Sequence, residues 1–243
     1  VAQKEVAPAS EYAIQLNDTH PICCIPELIR LLSLEGVGFD EAFEIAQKTF
    51  AYTNHTVMAE ALEKWSISLM REVIPEIYSI IERINEREIN DLRSKGIEEW
   101  QINEMRIIDG ERVHMARLGI YASSYVNGVA WIHTEILKND VLKEWYAIYP
   151  ERFQNKTNGI TQRRWLGLCN PELSKFITDR IGDGWQRDLS KLSALSDMLD
   201  DKTVKEFNKI KATKKKQLAK YVKKMENFDL NPDFIFDIQV KRL

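Results

Sequence analysis

The chain is short of the residues that crosslink proteins and span membranes. It has three cysteines in 243 residues, Cys23, Cys24 and Cys169. An odd count with no C-x-x-C pair argues against a disulfide framework and against a zinc site. They read as three buried thiols in a reducing compartment, which points to the cytoplasm. No apolar run approaches the roughly 20 residues a membrane helix needs. The opening VAQKEVAPASEYA lacks the apolar stretch of a signal peptide. Neither sign of charge dominates: 34 basic against 37 acidic residues leave −3, which favours neither nucleic acid nor anionic lipid. What is present is ordinary for a globular protein, 44% hydrophobic and 29% charged. The length allows one large domain or two small ones with a sizeable core.

Hydrophobic periodicity orders the chain into short strands and longer helices. Ala13 to Leu16 reads as a strand. Pro21 then opens a helix carrying Ile25, Leu28, Ile29, Leu31 and Leu32. Residues 39–48 read as a second helix, and β-branched and aromatic Thr49 to Thr53 as a second strand. Helical pattern resumes at Val57, with a stripe through Leu69, Val73, Ile77, Ile80, Ile81 and Ile84 that Pro75 interrupts. Asp109-Gly110 marks a turn. Leu118 to Val126 reads as a third strand, and 129–137 and 141–149 as helices. Helices are also expected at 171–181 and 203–225, and a last strand at 234–240. Residues 202–224 hold ten lysines, but their apolar residues share one stripe, so the lysines form a solvated face.

Three strand candidates end in polar clusters. Asn17, Asp18, Thr19 and His20 follow the first, Asn54, His55 and Thr56 the second, and Asn127 and Gly128 the third. In an open α/β sheet, parallel neighbours bring such clusters to one rim. A rim rich in Asn, Thr and His, with few charges, suits sugar hydroxyls because it offers donors and acceptors together. A fourth polar stretch, FQNKTNGITQRRW at 153–165, lies between helical segments. Taken singly, each has a plainer reading: Asp18 or Thr19 as a helix cap, His20 and His55 as structural, Asn127-Gly128 as a turn, Arg163 and Arg164 as surface charge.

Together the motifs resemble the α-glucan phosphorylases, the family acting on glycogen, starch and maltodextrin. The resemblance rests on AIQLNDTHP (13–21), IPEL (25–28), AYTNHTV (51–57), EALEKW (60–65), VNGVAWIHTEIL (126–137), FQNKTNGITQRRWL (153–166), CNP (169–171) and FDIQVKR (236–242), collinear along the whole chain. It implies an α/β, helix-dominated fold: a partial Rossmann-like domain of the GT-B type with a small parallel sheet, truncated as a second domain starts. Residues 1–157 would be the C-terminal part of the first domain, 158–233 a helical interdomain region, and 234–243 the first strand of the second.

The resemblance also implies a chemistry. These enzymes use inorganic phosphate to cleave a terminal α-1,4 bond of a glucan, releasing α-glucose 1-phosphate with retention through an oxocarbenium-like transition state. They carry pyridoxal phosphate, whose phosphate takes part in proton transfer. By position, His55 is the catalytic residue, its ring on the glucosyl 6-hydroxyl and its backbone carbonyl facing the anomeric carbon. Asn158 is the second partner of the 6-hydroxyl, and Val129 lines the sugar pocket. Asp18, His20 and Thr56 form polar walls backed by Glu60 and Glu63. Arg242 binds substrate phosphate, and Trp165 and Lys241 face the cofactor. The lysine that bonds the cofactor is not in this chain, so the chain alone is expected to be inactive and free of bound cofactor. The parent is expected to be a cytoplasmic homodimer that binds α-1,4-glucan and phosphate, with no nucleic-acid or membrane partner. The competing expectation is a truncated, non-catalytic homologue that binds glucan or a phosphorylase subunit. Departures from the family pattern include Met58-Ala59 for Leu-Pro, Gln162 for Pro and His114 for Asn or Arg. Gln162 is expected to loosen the loop that presents Trp165.

Overall fold

A computed structural model describes residues 12–58 and 62–238. These fall into two compact units that meet between Asn158 and Gly159.

The strands of the first unit are β1 (Ile14–Asn17), β2 (Phe50–Thr53), β3 (Lys64–Ser66), β4 (Ile108–Asp109), β5 (Arg112–His114), β6 (Val126–Gly128) and β7 (Phe153–Asn155). Strands β1, β2, β6 and β7 form a parallel sheet in that order. Strands β3, β5 and β4 form a small antiparallel sheet, with the expected turn after Asp109 closing its hairpin. The α/β reading, helix-dominated with a small parallel sheet, holds.

The helices follow from local pattern. Helix α1 (Cys24–Leu34) buries Ile25, Ile29 and Leu32, one stripe at i, i+4, i+7. It packs on α2 (Phe39–Thr49), which buries Ala42, Phe43 and Ala46. Helix α3 (Ile67–Val73) ends just before Pro75, which occupies the first turn of α4 (Pro75–Ser94). Proline fits there because its missing N–H has no intrahelical acceptor. Helix α4 sends Tyr78, Ile81, Ile84 and Leu92 inward. Each such buried aliphatic side chain contributes about 1.5–3 kcal/mol. The chain continues through α5 (Glu99–Met105), α6 (Met115–Tyr121), α7 (Trp131–Ile136) and α8 (Lys143–Ile148).

Several expectations are corrected. Residues 118–121 lie in α6, and only Val126 to Gly128 is strand. Helix α6 is buried all round, at Met115, Ala116, Leu118, Gly119, Ile120 and Tyr121, so it has no polar face to betray its period. Gly119 lets it seat closely: a Cβ there would lie 2.6 Å from Ile22 Cδ1 and 3.3 Å from the Tyr52 ring. Residues 57, 58, 62 and 63 are not helical. Phe153 to Asn155, read as loop, is the fourth strand of the sheet. Residues 234–238 form no strand. Their β-type composition has no neighbouring strand to pair with among the described residues, and 239–243 lie outside them. Cys24 and Cys169 are exposed and only Cys23 is half-buried, because Cys24 faces away from the Ile25–Ile29–Leu32 stripe.

The second unit holds α9 (Pro171–Ile181) and α10 (Asp201–Glu226). Asn170 and Asp200 cap them through side-chain bonds to the Leu173 and Thr203 N–H groups, at 3.3 and 2.7 Å. Its small core is Ile177 and Trp185, with Trp185 Nε1 donating to Thr178 Oγ1. Helix α10 has no fully buried residue, in keeping with a solvated lysine face.

Candidate active site

All four strands of the parallel sheet run the same way, so their carboxyl ends share one edge. That edge carries Asn17 and Asp18 after β1, Asn54 to Thr56 after β2, Asn127 to Val129 at β6, and Asn155 to Asn158 at β7. Ligands of open α/β sheets bind at this edge because helix N-termini and loop polar groups face it.

Side chains stitch the edge across the strands. Gln15 Nε2 donates to Thr53 Oγ1 at 2.7 Å, and Thr53 Oγ1 donates to Asn127 Oδ1 at 2.7 Å. Asn127 Nδ2 donates onward to the Gly128 carbonyl. This chain crosses β1, β2 and β6 and satisfies groups whose desolvation otherwise costs about 1–3 kcal/mol each. Asn54, fully buried, donates to the Tyr52 hydroxyl at 3.1 Å and accepts from the Thr56 N–H at 2.9 Å. It thereby shapes the turn that presents His55. Burial pushes the Tyr52 phenol well above its ordinary range.

The His55 ring meets Asn17: Nε2 lies 2.6 Å from Asn17 Oδ1. An amide oxygen only accepts, so in this contact Nε2 is the donor. The two residues are 38 apart in sequence and come from adjacent strands. Asp18 takes a left-handed conformation, φ 67°, and accepts the Thr19 N–H at 2.8 Å. The His20 ring stands 3.9 Å from both Asp18 Oδ2 and Glu63 Oε2. Glu63 is further placed by Trp65 Nε1, 3.0 Å from its other oxygen. Near it, burial first, then Cys24 and Glu63, push the Cys23 thiol above its usual value.

Strands β6 and β7 bring Val129 and Asn158 together. The Asn158 N–H donates to the Val129 carbonyl at 2.9 Å. His133 Nδ1 in turn accepts the Val129 N–H at 3.0 Å, so α7 holds the loop it follows. Thr134 Oγ1 contacts the Ala130 carbonyl and Asn155 Oδ1 at 2.9 and 3.0 Å.

Asp18, His20, His55, Thr56, Val129 and Asn158 thus all lie along one edge of the first unit. Trp165 does not join them within that unit. It sits in the second, on a π-helical turn, Arg163–Leu168, and is 70% exposed. Gln162 Nε2 and Arg163 Nη1 both donate to the Gln186 carbonyl, at 2.9 and 3.0 Å. Glu60, Lys241 and Arg242 lie outside the described residues. Asn17 and His133 had no assigned role in the sequence reading. Asn17 was visible only as part of the NDTH cluster, and His133 only as part of the VNGVAWIHTEIL segment.

Comparison with known proteins identifies the family. The family model described as carbohydrate phosphorylase matches residues 4–243. The chain is 48% identical to maltodextrin phosphorylase of Streptococcus pneumoniae over 96% of its length, covering 30% of that protein. It is 45% identical to cytosolic alpha-glucan phosphorylase 2 of Arabidopsis thaliana, with 96% and 29% covered. It is likewise 45% identical to the brain form of glycogen phosphorylase of Mus musculus, with 95% and 28% covered. The chain therefore spans less than a third of the length of these relatives. A parallel sheet with an amide- and imidazole-lined carboxyl edge, and a family match along nearly the whole sequence, lead to one conclusion: the chain belongs to the carbohydrate phosphorylase family.

Proposed function

We propose that this chain supplies the sugar-binding part of an α-1,4-glucan phosphorylase, an enzyme that transfers a terminal glucosyl unit of a glucan to inorganic phosphate. The observation that carries the reading is the His55–Asn17 contact at the carboxyl edge of the sheet. With Nε2 donating to Asn17, the Nδ1 lone pair is left to accept a sugar hydroxyl proton. Asn158, two strands along the sheet and exposed, adds an amide that donates to the same hydroxyl. Val129 gives the pocket an apolar wall.

The His55 backbone carbonyl is the second functional group. Among the described residues no donor is bonded to it. A carbonyl held by the Asn54 turn presents a fixed negative dipole end to the positive charge that develops at an anomeric carbon. Such preoriented dipoles stabilise a transition state without reorganisation, and loss of one typically costs about 100-fold or more in rate. Asp18, His20 and Thr56 supply polar walls for the groups leaving and entering at that carbon.

Arg242 is proposed as the ligand of substrate phosphate, since a guanidinium matches two oxygens of an oxyanion. The family resemblance implies pyridoxal phosphate, and of the residues assigned to its side of the site only Trp165 is among the described residues. Trp165 is 70% exposed and Lys241 lies outside them. The chain covers 28–30% of the relatives it matches, and by itself it is proposed to lack turnover. The parent is proposed to be a cytoplasmic homodimer. Among the described residues no helix is long and apolar enough to cross a membrane.

The test is phosphate-dependent release of α-glucose 1-phosphate from maltoheptaose by the protein that carries this chain. His55→Ala removes the ring and its hydroxyl bond but keeps the backbone carbonyl, so it is expected to lower kcat/KM by about tenfold while leaving its circular dichroism unchanged. No phosphate-dependent release from the unaltered protein, or full activity in His55→Ala, overturns the reading.

A further inference from the structure

One cleft of the first unit lies away from this edge. Its volume is about 630 Å³, within the range of small-molecule sites. It is lined from α2, α4, the end of α6 and the segment 149–152. Tyr121, at the end of α6, and Arg152, just before β7, mark it as lying toward the amino ends of the strands. None of its lining residues belongs to the candidate active site.

The lining is built of cations laid on aromatic rings. The Arg83 guanidinium lies 3.9 Å from the Phe39 ring centre, Arg87 4.7 Å from Phe43, and Arg152 4.2 Å from Tyr149. Lys95 approaches Tyr149 as well, at 5.7 Å. Two of these four cations are spoken for. Arg87 pairs with Asp40, and Lys95 pairs with Asp91, which also accepts the Tyr149 hydroxyl at 2.6 Å. Arg83 and Arg152 have no carboxylate at ion-pairing distance among the described residues. Arg152 gives one N–H to the Tyr121 carbonyl at 3.1 Å, out of five that a guanidinium carries. With Glu86 as the third lining acid, the cleft carries four cations against three carboxylates.

We infer that this cleft is a second anion site that takes a small organic phosphate, held by the guanidiniums of Arg83 and Arg152. Stacking fixes the plane of a guanidinium and leaves its edge N–H groups for oxygen acceptors, so little order remains to be imposed on binding. The same stacking covers the ring faces that a neutral sugar would need. The volume exceeds that of a free phosphate ion and accommodates a phosphorylated sugar or a nucleotide. This anion site stands apart from the substrate phosphate of the proposed reaction.

The test is isothermal titration calorimetry of the full 243-residue chain with inorganic pyrophosphate as the probe, and with maltotriose in parallel. One saturable site for pyrophosphate is expected, weakening as salt rises. Arg83→Ala and Arg152→Ala are each expected to weaken it at least tenfold, and His55→Ala to leave it unchanged. Arg83 is exposed, so Arg83→Ala decides the matter alone should Arg152→Ala fail to fold. Absence of saturable pyrophosphate binding, binding untouched by Arg83→Ala, or maltotriose binding to the cleft in its place overturns the inference.

Discussion

Gly128 is the position where one methyl group should do the most damage. It ends β6, pairs with Asn155 of β7 and is buried. A Cβ there would lie 2.9 Å from Thr134 Cα and 3.0 Å from His133 Nδ1, with Thr134 Oγ1 closer still. Thr134 is 1% exposed, and its hydroxyl is shared between the Ala130 carbonyl and Asn155. Neither the α7 backbone nor the hydroxyl has room to retreat. Overpacking of this kind costs about 1–3 kcal/mol, and loss of a buried hydroxyl bond adds about 1 kcal/mol. Gly128→Ala is therefore expected to destabilise the first unit by about 2–4 kcal/mol, a large share of the roughly 5–15 kcal/mol of a typical domain. Urea unfolding followed by far-ultraviolet circular dichroism measures this as a lowered midpoint. Gly159→Ala is the control, since a Cβ there meets no atom within 4 Å, and it should change stability by less than about 0.5 kcal/mol. Equal midpoints for the two variants would refute the packing argument. Gly128→Ala should also shift Val129 and, through its carbonyl bond, Asn158.

Two further predictions concern pH. Burial raises the Glu88 carboxyl well above its ordinary value, against the Ile107 N–H bond and the Arg117 charge that lower it. An acid whose folded pKa is raised holds its proton more tightly when folded, so its contribution falls as pH rises above the ordinary carboxylate range. Glu88→Gln should gain stability relative to the parent chain between pH 5 and pH 8, measured by urea midpoints; a difference independent of pH defeats the idea. Burial, then Arg117 and Lys64, lower His114 from its ordinary value to about 4. Here the unfolded chain binds the proton first, so stability should fall as pH drops from about 6.5 toward 4. His114→Gln should blunt that loss, and an NMR midpoint for the His114 ring near 6.5 would contradict it.

Helices with two distinct faces were legible. Pro171–Ile181 appears with the bounds its pattern implies, and the lysine-rich helix runs Asp201–Glu226 against an expected 203–225. Helix α6 was misread as strand because, buried on every side, it shows neither a 3.6 nor a 2 period. β7 was hidden for the opposite reason. Phe-Gln-Asn is mostly polar, and only its place beside β6 makes it a strand. The three-residue β3 and two-residue β4 are too short to carry any period. At the candidate site, the motifs named His55 and Asn158, but the Asn17 partner of His55 lies 38 residues away, and spacing cannot reveal that contact.

The sequence by itself determined the amphipathic helices, the break at Pro75, two strands of the sheet and the run of motifs that marks a carbohydrate phosphorylase. Those features are local: they depend on side-chain periodicity, on proline geometry and on the order of residues along the chain. Only the tertiary structure decided that β7 joins the parallel sheet, that Asn17 meets the His55 ring, and that Gly128 must lack a side chain. It alone gathered four cations and four aromatic rings from separate segments into one cleft. Each of these depends on which segments lie side by side, and that is settled by long-range packing, which no short window of sequence contains.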